Sequence, residues 1–189
     1  MIDSMDRRQV RISKFLSRVL RHRPQQIGLT LDEAGWIPVA DLLVACDRHG
    51  YSFSLAELQV IIAGNDKARF AFSADGTLIR ANQGHSIPVN LGYTSLAPPD
   101  TLFHGTAVRF LASIQHQGLV KGRRHHVHLS PDRETARRVG QRHGEPVVLQ
   151  VASGAMDRDG HVFYQSANGV WLVEAVPPHY LTIMAVAAS

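Results

Sequence analysis

Arginine and histidine dominate the residues of this chain that could do chemistry. Residues 7–23 hold Arg7, Arg8, Arg11, Lys14, Arg18, Arg21 and Arg23 without one acid among them. Residues 121–142 hold Lys121, Arg123, Arg124, Arg133, Arg137, Arg138 and Arg142 against only Asp132 and Glu134. His125-His126-Val127-His128 lies directly after Arg123-Arg124, and the chain has 11 histidines in all. A guanidinium presents a planar fork of donors that fits phosphate, and an imidazole exchanges protons near neutral pH. Either cluster alone could be a solvated helix face. Two of them, with the histidines and a formal net charge of +4 at a sequence pI near 9.6, point to an anionic ligand.

Other chemistries lack their residues. Acids are sparse after residue 100: Asp132, Glu134, Glu145, Asp157, Asp159 and Glu174. No Glu-x-Glu pair exists, so paired-carboxylate catalysis has no footing. Phosphate-binding Gly-x-x-x-x-Gly-Lys-Ser/Thr, dinucleotide Gly-x-Gly-x-x-Gly, Gly-x-Ser-x-Gly and His-Glu-x-x-His are all missing. On a strand His126 and His128 would share a face, but no third zinc ligand stands at a convincing spacing, so no metal is expected. His104-Gly105-Thr106 reads as the end of a strand that opens a helix. There glycine would let a ligand approach the backbone and free amides would favour phosphate. Arg69, beside a hairpin, fits a ligand contact or a solvated strand position equally.

The elements that must position these residues are legible from periodicity. Ile12, Phe15, Leu16, Val19 and Leu20 predict an amphipathic helix that stops near Arg23, because Pro24 disfavours helical geometry in the residue before it. Its last turn holds Arg21 and His22. Projected on the helix, His22 falls at the edge of the apolar stripe and Arg21 far from it. Short apolar stretches follow at Ile27–Leu31 and Trp36–Val39. Pro38 suits the first position of a second helix running to about Arg48, and Ser54 with Glu57 forms a capping box for a third through Ile62. Asp75-Gly76 between Arg69–Phe72 and Thr77–Arg80 is a hairpin signal. That order of elements fits a winged-helix lobe over residues 1–82. Residues 83–100, with Pro98-Pro99 and little periodicity, read as a linker. From 101 to 189 strands are expected at Thr101–His104, His126–Leu129, Pro146–Val151, Val162–Tyr164, Val170–Val173 and Leu181–Val186. Helices are expected at Val108–Gln117 and Pro131–Arg142, the latter capped by Ser130, and Asn168-Gly169 marks a second hairpin. The fold class expected is α+β with a mostly antiparallel sheet.

Composition agrees with a globular chain: 189 residues, 44% hydrophobic and 19% charged. No apolar run approaches the roughly 18 residues of a membrane span. The polar start, Met1 to Arg11, carries no secretory signal, and the single Cys46 excludes an internal disulfide. A cytoplasmic monomer is the expectation.

Taken in order, these segments resemble the NAD⁺-dependent RNA 2′-phosphotransferase family, which includes the tRNA 2′-phosphotransferases. The resemblance runs from about Ile12 to Trp171. It rests on Ser13-Lys14-Phe15-Leu16-Ser17, Val19-Leu20-Arg21-His22, Asp32-Glu33-Ala34-Gly35-Trp36, Arg69-Phe70 and Gln83-Gly84-His85-Ser86. It continues through His104-Gly105-Thr106, Arg124-His125-His126-Val127-His128-Leu129-Ser130 and Asn168-Gly169-Val170-Trp171-Leu172. The resemblance implies a winged-helix lobe joined to an ADP-ribosyltransferase-like lobe, with NAD⁺ in the second lobe and the RNA phosphate in the cleft between them. The family's Arg-His-Arg-Arg catalytic set falls on Arg21, His22, Arg69 and Arg124, and its NAD contacts on His104, Gly105, Thr106, His128 and Ser130. The reaction implied has two steps. An internal RNA 2′-phosphate attacks C1″ of the NAD⁺ ribose and expels nicotinamide. The ribose 2″-hydroxyl then attacks the phosphorus, releasing 2′-hydroxyl RNA and ADP-ribose 1″,2″-cyclic phosphate.

The residue types suit that chemistry. A phosphate monoester carries about −1.5 to −2 charges at neutral pH, so the nucleophile needs cations to position it and no base to ionise it. Two rivals remain. A winged-helix DNA-binding regulator with a ligand-sensing second domain accounts for the first half only. ADP-ribose transfer to a terminal nucleic-acid phosphate or to a protein keeps the fold and changes the acceptor.

Overall fold

Asp6 opens the first helix. Its carboxylate accepts from the Gln9 amide, and the Gln9 side chain accepts in return from the Asp6 amide. This reciprocal cap begins that helix in the computed structural model, which describes residues 6–64 and 68–184. The chain divides into two units, Met1–Gly92 and Tyr93–Ser189.

In the first unit α1 (Arg7–Arg21) buries Ile12, Leu16, Val19 and Leu20. A 3-10 turn, Pro24–Ile27, follows at once. The strand β1 (Ile37–Pro38) leads into α2 (Val39–Arg48), where Pro38 is the cap residue and not the first helical one. The expected capping box of Ser54 and Glu57 starts α3 (Leu55–Ala63). The hairpin is β2 (Phe70–Phe72) and β3 (Leu78–Ala81), and β1 joins it to give the antiparallel order β1-β3-β2. Asp75 organises the turn, accepting from the Ser73 and Thr77 hydroxyls and the Thr77 amide. The Ser73 hydroxyl is the largest reason its carboxyl is held down at about 2. Helices and sheet share one core that includes Leu16, Leu42, Leu58 and Ile79.

In the second unit β4 (Leu102–Ala107) leads through a 3-10 turn into α4 (Leu111–Gln117) and β5 (Leu119–Val120). Then come β6 (Val127–Leu129), α5 (Arg133–Gly140) and β7 (Pro146–Val151). α6 (Ser153–Arg158), β8 (Phe163–Gln165), β9 (Trp171–Val173), β10 (Ala175–Val176) and β11 (Leu181–Ile183) complete it. Every named pairing is antiparallel, in the orders β11-β7-β4, β6-β9-β8 and β10-β5. The α+β class stands. The strand expected to reach Val186 ends at Ile183, and Val186 itself lies outside the described residues. The Asn168-Gly169 signal falls in the β8–β9 turn, where Gly169 has φ 77°.

Two local expectations are corrected. Ser130 does not cap α5. Its backbone exchanges hydrogen bonds with Phe103, at 2.7 Å and 2.9 Å, so the helix begins later with the Asp132 carboxylate accepting from the Thr135 amide. Likewise, His104-Gly105-Thr106 is no strand end. The tripeptide runs through the middle of β4, opposite Leu149, Val148 and Val147 of β7, and the helical turn starts only at Val108. Gly105 is explained by packing: a Cβ there would sit 1.6 Å from the Ala136 carbonyl oxygen of α5. Gly140 answers it, since its own Cβ would meet the Thr106 carbonyl oxygen at 2.5 Å. The two glycines let α5 lie against β4 at backbone distance.

Candidate active site

Arg21 and His22 close α1, and their burial is set by other segments and not by the helical projection alone. Arg21 is half-buried and His22 is exposed. His22 has φ −132° and has left the helix, so a 100° step no longer places it. Arg21 instead lies under the segment after β3, where a Cβ on Gly84 would stand 3.6 Å from its Nη1. Its Nη2 donates to the Arg69 carbonyl at 3.4 Å, across 48 residues of chain. The His22 Nδ1 meets the Ser86 hydroxyl at 2.9 Å, while the Ser86 amide donates to the Arg21 carbonyl at 2.9 Å. Arg21 thus lies against the backbone of Arg69, and His22 against Ser86.

Arg69 is held by its neighbours. Ala68 before it has φ 37°, a left-handed backbone that alanine rarely adopts. The buried Asn82 secures it: its side-chain amide donates to the Ala68 carbonyl at 2.6 Å, and its backbone amide to the Arg69 carbonyl at 2.9 Å.

In the second unit the bridge between Phe103 and Ser130 sets β4 beside β6. This brings His104 to the carbonyl of His128, with Nδ1 at 3.0 Å. A carbonyl only accepts, so Nδ1 carries the hydrogen and Nε2 keeps its lone pair. Burial pushes the His104 pKa down, and Arg124 and His143 add to this, so the ring is neutral at pH 7; the hydrogen bond to the His128 carbonyl opposes the shift. Arg124 contacts the His128 Nδ1 at 3.5 Å, and a guanidinium only donates, so that nitrogen is the acceptor. His104 and Thr106 share one face of β4, while Gly105 faces α5. Arg124, His128, His104 and Ser130 are therefore neighbours. Gly105 stands on the far side of the strand from the His104 ring.

A profile of the family described as RNA 2′-phosphotransferase, Tpt1 / KptA family, matches residues 7–175. The chain belongs to that family. A probable RNA 2′-phosphotransferase of Streptomyces griseus is 55% identical over 185 residues, covering 94% of this chain and 98% of the relative. One of Agrobacterium fabrum is 56% identical over 173 residues, covering 92% and 93%. One of Nostoc punctiforme is 49% identical over 176 residues, covering 93% and 97%.

As a member of the RNA 2′-phosphotransferase family the chain is a transferase with RNA as its substrate class, which sets the DNA-regulator alternative aside. Among the described residues no group of three or more His, Cys, Asp or Glu could hold a metal ion. No described helix is long and apolar enough to cross a membrane. Three supporting residues had no role assigned from sequence. Ser86 positions His22, Asn82 secures the backbone of Ala68 and Arg69, and Arg80 stacks on Trp36 with its guanidinium carbon 4.4 Å from the ring. Only Ser86 carried a signal, as the last residue of Gln83-Gly84-His85-Ser86.

Proposed function

We propose that the chain removes an internal 2′-phosphate from RNA by transfer to NAD⁺. In this reading the first unit is a winged-helix lobe and the second an ADP-ribosyltransferase-like lobe. The observation that carries it is that Arg21 and His22, at the end of α1, meet segments from far along the chain: the Arg21 guanidinium donates to the Arg69 carbonyl, and the His22 imidazole meets the Ser86 hydroxyl. Two guanidinium groups and an imidazole make a cradle for a dianionic phosphate, and such charge-assisted bonds are worth roughly twice neutral ones.

The second cluster suits NAD⁺ by its donor set. A neutral His104 with an acceptor nitrogen, the Ser130 and Thr106 hydroxyls and the Arg124 guanidinium match ribose hydroxyls and a pyrophosphate. Gly105 serves this site indirectly, by letting α5 seat β4. As co-substrate, NAD⁺ supplies an electrophilic ribose carbon and nicotinamide as leaving group. Arg21, Arg69 and His22 hold the phosphate as nucleophile, and no carboxylate base is required because it arrives ionised. Arg124 stabilises the charge that grows on phosphorus in the second step, and a histidine donates a proton to the departing RNA oxygen.

The test is incubation with NAD⁺ and an oligonucleotide bearing one internal 2′-phosphate. Mass spectrometry should find 2′-hydroxyl RNA and ADP-ribose 1″,2″-cyclic phosphate. Their absence overturns the proposal.

A further inference from the structure

Five cations stand in line on α1. At about 100° per residue, Arg7, Arg11, Lys14, Arg18 and Arg21 all fall within roughly 40° of one line along the helix, which at about 1.5 Å per residue is roughly 21 Å long. Ile12, Leu16, Val19 and Leu20 occupy the opposite, buried side. Arg7, Arg11, Lys14 and Arg18 are all exposed, and none takes part in a salt bridge among the described residues. Arg8, off the line, shows the contrast: it pairs with Glu57 and donates to the Ser52 carbonyl.

A shallow groove of about 350 Å³ follows the line from Arg7 to Arg18, and Phe15 and Tyr51 join those cations in lining it. Their rings stack at 3.6 Å and 9°, and the Arg11 guanidinium lies 5.9 Å from the Tyr51 centroid. A solvated face usually alternates its signs; this one repels itself along its whole length. A polyanion that releases its own counterions there is the ligand such a line fits, and the line ends at Arg21.

We propose that this face of α1 is a rail for the backbone phosphates of single-stranded RNA next to the reacting 2′-phosphate, running from Arg21 towards Arg7. The aromatic pair favours a single strand, because bases exposed beside a basic groove stack on such rings and bases inside a duplex do not. The rail rests on the reading of Arg21 as a ligand of the RNA phosphate.

The test compares the wild type with the variant Arg7→Gln, Arg11→Gln, Lys14→Gln on two substrates. One is a dinucleotide with an internal 2′-phosphate, the other a single strand of roughly 16 nucleotides with the same phosphate at its centre. On the long substrate KM should rise about tenfold or more at low salt with kcat unchanged. The slope of log affinity against log salt should flatten by about 2, since each phosphate contact of a single strand contributes about 0.7. On the dinucleotide neither constant should move. An equal rise on both substrates, no rise, or an unchanged slope overturns the rail. Fluorescence anisotropy with unphosphorylated RNA of the same length separates this idea from the one beneath it. If the wild type turns over neither substrate yet binds that RNA with a slope the variant flattens, the rail stands and the phosphotransfer reading falls. If turnover is normal and the variant binds like the wild type, the reverse holds.

Discussion

Arg124 touches His128 and depresses the pKa of His104, so a single side chain bears on both imidazoles of the second cluster. If its guanidinium serves the phosphorus in the second step only, Arg124→Ala should accumulate RNA carrying ADP-ribose on its 2′-phosphate. Loss of nicotinamide release with no such species, followed by chromatography of the labelled RNA, would contradict that division of labour. His104 makes a second prediction. Its folded pKa lies below the ordinary 6.5, so above that value neither state holds the proton. As pH falls through 6.5 the unfolded chain takes the proton first, and stability drops until the folded ring accepts one. His126, also pushed down by burial, contributes with the same sign. Thermal melts at pH 7.5 and pH 5.5 should show a loss for the wild type that His104→Gln reduces. At this scale the sequence was informative about residue types and poor on their surroundings. Arg21 and His22 were legible as a pair, but their burial depends on the Gly84–Ser86 segment, far along the chain, which no helical projection contains.

Elements with long apolar periodicity were legible, and α1 and β7 are the plainest cases. α6 was missed because SGAMDR buries one large side chain, Met156, and has no side-chain cap. β5 and β10 have two residues each, too few to show alternation. The misreading at Gly105 has a different cause. A glycine beside a strand looks like punctuation, yet its requirement comes from Ala136 and Gly140 on a helix that lies later in the chain. Gly105→Ala should cost about 3 kcal/mol or more, because backbone atoms block the methyl and cannot swing aside. Gly169→Ala meets open space at φ 77° and should cost only about 1–2 kcal/mol, the penalty of the left-handed region. Denaturant midpoints for the two variants check the ordering, and equal losses would remove the helix-seating role from Gly105.

At the scale of the whole molecule, two cores carry two units, and residues 83–100 are shared between them. His85 is 1% exposed, the Ser86 amide donates to Arg21 and the Asn90 amide to Glu33, all within the first unit. After Gly92 the Leu96 amide donates to Phe163, and Tyr93 packs near His126 and Tyr164. A fragment of residues 1–92 should therefore melt higher than one of residues 1–82, measured by the helical signal of each. Equal melting would leave residues 83–92 without a part in the first unit's stability. Low periodicity hid these contacts in the sequence, because they are made by isolated backbone amides and one buried imidazole. Gly92 is exposed with φ 68° and makes room for nothing. It is accordingly the place to splice in a foreign module, such as a fluorescent reporter or an affinity handle, with the hydrogen bonds on either side left whole.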